Sequence, residues 1–168
     1  MNIIFKYRML SDESDHFVRD FEIYPDMKLS DFSNFILEAL HYDKCMVSMF
    51  RSDSEWRPLE EFVELDMGDD IPGAPRSMES VRVMDVNNDF HDRLIFTFDM
   101  FNNRSYYLEL LDMQRPQAGL EYPRVAFEHA SVPDQYDPDA TEESGSIFEE
   151  MMSEYNEFDG DDGYDDEY

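Results

Sequence analysis

The sequence predicts an α+β domain, a sheet with a helix packed on it, followed by a disordered acidic tail. Three observations carry that expectation. The first fifty residues spell strand–strand–helix–strand, two alternating runs between 94 and 111 spell a hairpin, and no lysine or arginine occurs after Arg124. The third observation divides the chain. Residues 134–168 hold 15 of the 41 acids and none of the 13 bases, which leaves residues 1–133 with 26 acids, all 13 bases and a net charge of −13. We therefore read one α+β domain over 1–133 and a largely disordered tail over 134–168. A domain of about 130 residues buries roughly two-thirds of the surface its unfolded chain exposes, so it needs no covalent staple.

The elements follow in order. From residue 2 to residue 10, Ile3, Phe5, Tyr7 and Met9 share one face and Ile4, Lys6 and Arg8 the other, a strand period of two. A polar cluster from Ser11 to Asp15 turns the chain. Phe17, Phe21 and Ile23 then alternate with Asp20 and Glu22 in a second strand that Pro25 ends. Ser30 is read as the N-cap of a helix whose apolar stripe is Phe32, Phe35, Ile36, Ala39 and Leu40. A third strand is expected from about Met46 to Arg51. Leu59, Phe62, Val63 and Leu65 fit either a short helix or a strand. Residues 66–79 contain two glycines, two prolines and four acids and read as a long exposed loop. Ser80–Val86 is expected as a short strand. In the hairpin, Leu94, Phe96 and Phe98 alternate with Ile95, Thr97 and Asp99, and Tyr106, Leu108 and Leu110 with Tyr107, Glu109 and Leu111, joined by a turn of Met100-Phe101-Asn102-Asn103-Arg104, where asparagine tolerates positive φ. Large apolar groups on both faces place that hairpin centrally in the sheet. Residues 114–123 read as a loop and Arg124–Glu128 as a last short strand.

The order of these parts resembles a known family. Phe5-Lys6-Tyr7-Arg8, Phe21-Glu22-Ile23-Tyr24-Pro25, Leu29-Ser30-Asp31-Phe32 through Leu40-His41-Tyr42, Met49-Phe50, Trp56, Leu94-Ile95-Phe96-Thr97-Phe98-Asp99 and Tyr122-Pro123 together are similar to the plasmid pRiA4b ORF-3-like family, whose members are also described as transposon-passenger-like proteins. The resemblance spans roughly residues 3–125. It implies an α+β domain with an antiparallel or mixed sheet and a packed helix, and no established activity. At the hairpin turn the family often has Tyr-Asp-Phe-Gly-Asp followed by Trp and His. This chain keeps Asp99 there but lacks the glycine, the second aspartate and the Trp/His pair.

Residues with chemical potential are sparse. His16, His41, His91 and His129 form no metal-binding spacing, and Asp89, His91 and Asp92 are the nearest approach to one. Six glycines form neither a dinucleotide fingerprint nor a phosphate loop, which argues against nucleotide binding by those routes. Adjacent carboxylates such as Glu60-Glu61 are expected by chance in so acidic a chain. The single Cys45 cannot form an internal disulfide, which fits a reducing compartment. No metal or cofactor is expected. The N-terminal apolar run is broken by Lys6 and Arg8 and resembles no signal peptide, and no apolar run approaches the ~20 residues of a membrane helix. A cytoplasmic protein without direct nucleic-acid or membrane contact is the expectation, since its charge repels phosphate and anionic lipid.

Within the tail, Ile147, Phe148, Met151, Met152 and Tyr155 recur at helical spacing, an amphipathic stripe of about nine residues that is too short to persist alone. The final Asp-Gly-Asp-Asp-Gly run lacks the register of a calcium loop. Two functional readings follow. The first is a noncatalytic interaction module whose acidic tail, or its 147–155 stripe, contacts a basic protein partner. The second is a ligand-binding or enzymatic domain with a pocket near the 98–104 turn and the 66–79 loop, served by Trp56, Asp99 and Arg104. The sequence leaves the oligomeric state open.

Overall fold

The computed structural model describes residues 2–65 and 72–139. The chain divides into two compact units, Met1–Ala130 and Ser131–Tyr168, and of the second only 131–139 are described. The first unit is an α+β fold built on one mixed sheet of eight strands. In chain order these are β1 (Ile4–Ser11), β2 (Val18–Ile23), α1 (Leu29–Leu40), β3 (Ser48–Ser52), β4 (Pro58–Val63), β5 (Arg76–Ser77), a 3-10 turn (Met78–Ser80), α2 (Val83–Val86), β6 (Arg93–Asp99), β7 (Arg104–Gln114) and β8 (Arg124–His129). The sheet runs β5-β4-β3-β6-β7-β1-β2-β8. Every pairing is antiparallel except the short β4–β5 contact. The hairpin β6–β7 is central, as its two apolar faces require.

One face of this sheet is the core. Phe5, Tyr7 and Met9 of β1 and Phe21 and Ile23 of β2 are buried with Phe32, Ile36, Leu37 and Leu40 of α1. The rings of Tyr7 and Phe32 lie 5.4 Å apart, and Phe21 meets Phe35 edge-on at 5.3 Å. Tyr106, Leu108 and Leu110 of β7 and Leu94 and Phe96 of β6 extend the layer. A buried large side chain of this kind contributes about 1.5–3 kcal/mol, which is why α1 is anchored by its stripe and not by its ends.

Several local expectations shift. The helix starts two residues earlier than Ser30 would cap it. Lys28 is the N-cap and makes no side-chain cap bond; instead Leu29 N–H donates to Val81 O at 2.9 Å, so a neighbouring segment satisfies the helix start. The helix ends at His41 in the left-handed region, with His41 N–H bonded to Glu38 O and Tyr42 N–H to Leu37 O, a Schellman closure. The third strand begins at Ser48, two residues later than expected. The segment after Trp56 is a strand. Part of the supposed 66–79 loop is ordered: Arg76 and Ser77 pair with β4, and Met78 is wholly buried in the 3-10 turn that follows. Residues 66–71 lie outside the described residues. Ser80–Val86 is no strand; Val83 N–H bonds Met27 O and Met84 N–H bonds Pro25 O, which tie a single helical turn against the loop before α1. That turn delivers Asn87, whose Nδ2 donates to the buried Tyr7 hydroxyl at 2.9 Å.

The opposite face is polar and ordered in rows. Strand register places Arg93, Glu109, Arg8 and Asp20 side by side across β6, β7, β1 and β2. One step along the strands, Ile95, Tyr107, Leu10 and Val18 form an apolar row. On the other side, Asp112, Lys6, Glu22 and Arg124 cross β7, β1, β2 and β8. Asp20 and Glu22 are buried despite pointing away from the helix, because Arg8 grips Asp20 with two 2.8 Å bonds and Arg124 bonds Glu22 at 2.6 Å.

Candidate functional site

The three residues predicted to serve a pocket do not converge. Arg104 opens β7 and points to the helix side. It is buried, and its Nε and Nη2 each donate to the Glu13 carboxylate at 2.8 Å. Its guanidinium also stacks 4.8 Å from the Phe98 ring. Hydrogen bonding to Glu13 raises its pKa, against the opposing effect of burial. Beside it the Tyr42 and Tyr106 hydroxyls are 2.5 Å apart, and Phe17 packs on Tyr106 at 5.4 Å. Burial, and then the neighbouring Tyr42, pushes the Tyr106 phenol far above its ordinary value. Arg19 stacks 4.5 Å over Phe17 and donates to the Val18 and His129 carbonyls; burial lowers its pKa. This is a buried aromatic and ion-pair cluster, in which each side chain holds its neighbours in place.

Asp99 is the register partner of Arg104, yet its carboxylate serves the turn. It accepts from Asn102 Nδ2 at 2.8 Å and Asn102 N–H at 3.2 Å, and these bonds, the side-chain one foremost, lower its pKa. Asn103 supplies the positive φ of the turn.

Trp56 lies on the other face of the sheet. It too has positive φ, held by a turn in which the Asp53 carboxylate accepts from Glu55 N–H and Arg57 N–H at 2.9 Å. The indole meets Tyr107 edge-on at 5.3 Å, and Arg93 lies 4.4 Å over its ring. Arg93 also donates to Ser54 O at 2.6 Å and lies 3.9 Å from Glu109, whose other oxygen contacts His91 Nδ1 at 2.7 Å. Side chains on β7 alternate, so Tyr107 and Arg104 point to opposite faces. A single pocket holding Trp56 and Arg104 is therefore sterically barred by the sheet itself.

The other candidates have structural roles. Asp92 accepts from Asn88 and Asp89 N–H groups and so shapes the turn before β6. Among the described residues no three His, Cys, Asp or Glu side chains are grouped to hold a metal ion. Cys45 directs its thiol toward Phe98 O at 3.7 Å. A cleft of about 660 Å³ is lined by Asn2, Ile3, Arg115 and Pro116, at the end of β7 opposite the 98–104 turn. No helix among the described residues is long and apolar enough to cross a membrane. Ile147, Phe148, Met151, Met152 and Tyr155 lie outside the described residues.

Sequence reasoning missed Glu13, Arg93, Glu109 and Tyr107, the groups that organise the two clusters. The usable signal was the charge alternation on the strands, Lys6/Arg8 against Asp20/Glu22, but only register shows which charges face each other.

No family model matches the chain, and no curated protein matches it. Among solved structures, it is similar to a protein of unknown function, MM3350, from Methanosarcina mazei Go1. The TM-score is 0.63 at 12% identity, over 79% of this chain and 72% of the other. At that identity the likeness is one of fold.

Proposed function

We propose that this chain is a noncatalytic interaction module of the cytoplasm, related to the plasmid pRiA4b ORF-3-like family, whose acidic C-terminal segment captures a basic protein partner. One observation carries the reading: the segregation of charge. The last 35 residues hold 15 acids and no base. At least nine of the chain's 13 bases are already engaged by its own carboxylates: Arg8, Arg19, Lys28, Arg51, Arg57, Arg76, Arg93, Arg104 and Arg124. Little cationic surface among the described residues is left to attract phosphate, while 15 acids with no base among them follow one another in a single stretch of the sequence. The 147–155 stripe adds an apolar anchor to that electrostatic attraction. The pocket reading draws less support, because Trp56 and Arg104 stand on opposite faces of the sheet.

The test is a matched co-purification from native cytoplasm, with the full chain and with 134–168 deleted. Loss of a bound protein on deletion, at unchanged domain melting temperature, is the expected result. Substituting Phe148 and Met152 by Asp separates the apolar stripe from the charge. Identical co-purification with and without the tail would sink the reading.

A further inference from the structure

The polar face of the sheet has the properties of an interface. Among the described residues all helical elements lie on the other side, where α1 packs on Tyr7 and α2 delivers Asn87 to the same ring. The rows Arg93–Glu109–Arg8–Asp20 and Asp112–Lys6–Glu22–Arg124 carry four cations and four anions. Residues 1–133 have a net charge of −13, yet these two rows sum to zero. Between Glu109 and Asp20 the signs alternate along the row, and so they do from Asp112 to Arg124. Leu10 is 41% exposed in the middle of the apolar row, and Phe127 is 49% exposed beyond Asp20 on β8.

We propose that this face binds a second copy of the same chain, with a two-fold axis parallel to the strands and passing between β7 and β1. Such an axis stacks sheet on sheet at about 10 Å and lays the rows that span β6, β7, β1 and β2 against their own reverse. A row of four alternating charges is complementary to its reverse. Arg8 meets Glu109 of the second copy, and in the other row Lys6 meets its Asp112, while Asp20 and Glu22 stay buried and held by their own Arg8 and Arg124. In the apolar row Tyr107 meets Leu10. At the ends, Trp56 over Arg93 reaches the exposed Phe127 of the other copy. Sheet twist confines the closest contact to the strands beside the axis, β7 and β1, which carry Glu109, Arg8, Tyr107 and Leu10. A uniformly basic or acidic partner gains nothing from a face of zero net charge, whereas a reversed copy sets Arg8 against Glu109 and Lys6 against Asp112.

Sedimentation equilibrium of the full chain, over a micromolar-to-millimolar range, tests this. The expected result is a reversible dimer at twice the chain mass. Leu10→Asp and Tyr107→Lys each weaken it by at least about tenfold, the size of a central contact, while Phe101→Asp at the 99% exposed hairpin tip leaves it unchanged. Circular dichroism melting of each variant separates dissociation from unfolding. Mixing the Leu10→Asp and Tyr107→Lys chains restores the dimer, because the two substituted positions face each other. A wild-type chain that stays monomeric throughout overturns the proposal. So does a dimer that survives Leu10→Asp, and so does a mixture of folded variants that fails to reassociate.

Discussion

Individual residues here are held mainly by burial, and the tyrosines make that measurable. Tyr7 and Tyr106 are essentially inaccessible, and burial pushes both phenols well above their ordinary value of 10.0. The unfolded chain ionises near that value while the folded chain stays protonated. Their contribution is thus complete below about pH 10 and is lost as pH rises above it, each phenol adding a slope of about 1.4 kcal/mol per pH unit. We expect alkaline unfolding in which Tyr106→Phe loses stability less steeply than wild type, read from urea midpoints between about pH 9 and 11. Equal slopes for both proteins would contradict the burial argument. The identity of these tyrosines as core was legible from the alternation on β1 and β7. The 2.5 Å contact of the Tyr106 hydroxyl with Tyr42 was not, since the two residues are 64 positions apart.

Among the elements, α1 shows how local and tertiary causes divide. Its stripe follows the 3.6-residue period and its C-terminus follows Schellman geometry, but a non-glycine residue occupies the left-handed position, His41 at φ 59°. Glycine adopts that conformation without steric cost, so His41→Gly is expected to raise stability by about 0.5–1 kcal/mol in chemical denaturation. A neutral or negative effect would mean that the His41 side chain contributes more than its backbone costs. At the other end Ser30 looked like a cap on residue type alone. The position is taken by Lys28, because the segment around Val81 and Arg82 lies alongside and supplies the acceptor for Leu29. The same pairing explains α2: a run that reads as a strand is bent into one turn by the two carbonyls before α1. Short segments carry too few residues for periodicity to outweigh such contacts.

At the scale of the whole molecule, charge dominates. Repulsion among 41 acids opposes compaction, with 13 bases to offset them. Raising ionic strength from roughly 0.01 M to 0.15 M shortens the screening length from about 30 to 8 Å. The melting temperature of the full chain is therefore expected to rise by several degrees over that range in differential scanning calorimetry. A fall would mean that the internal ion pairs outweigh the net repulsion. The nine engaged bases lie in strands and turns of the first unit, so screening them costs less than relieving the surplus acids.

By itself the sequence determined the class of fold, the central place of the 94–111 hairpin, the apolar stripe of the helix and the uneven distribution of charge. Each of these is a property of period or composition, readable within about a dozen consecutive residues. Only the tertiary structure decided which charges pair, that Trp56 and Arg104 lie on opposite faces, and that Arg93, Glu109, Arg8 and Asp20 form one row. Those facts depend on strand order and register. Register is set by pairing between strands as far apart in sequence as β1 and β7, with a bulge that shifts it between Lys6 and Tyr7.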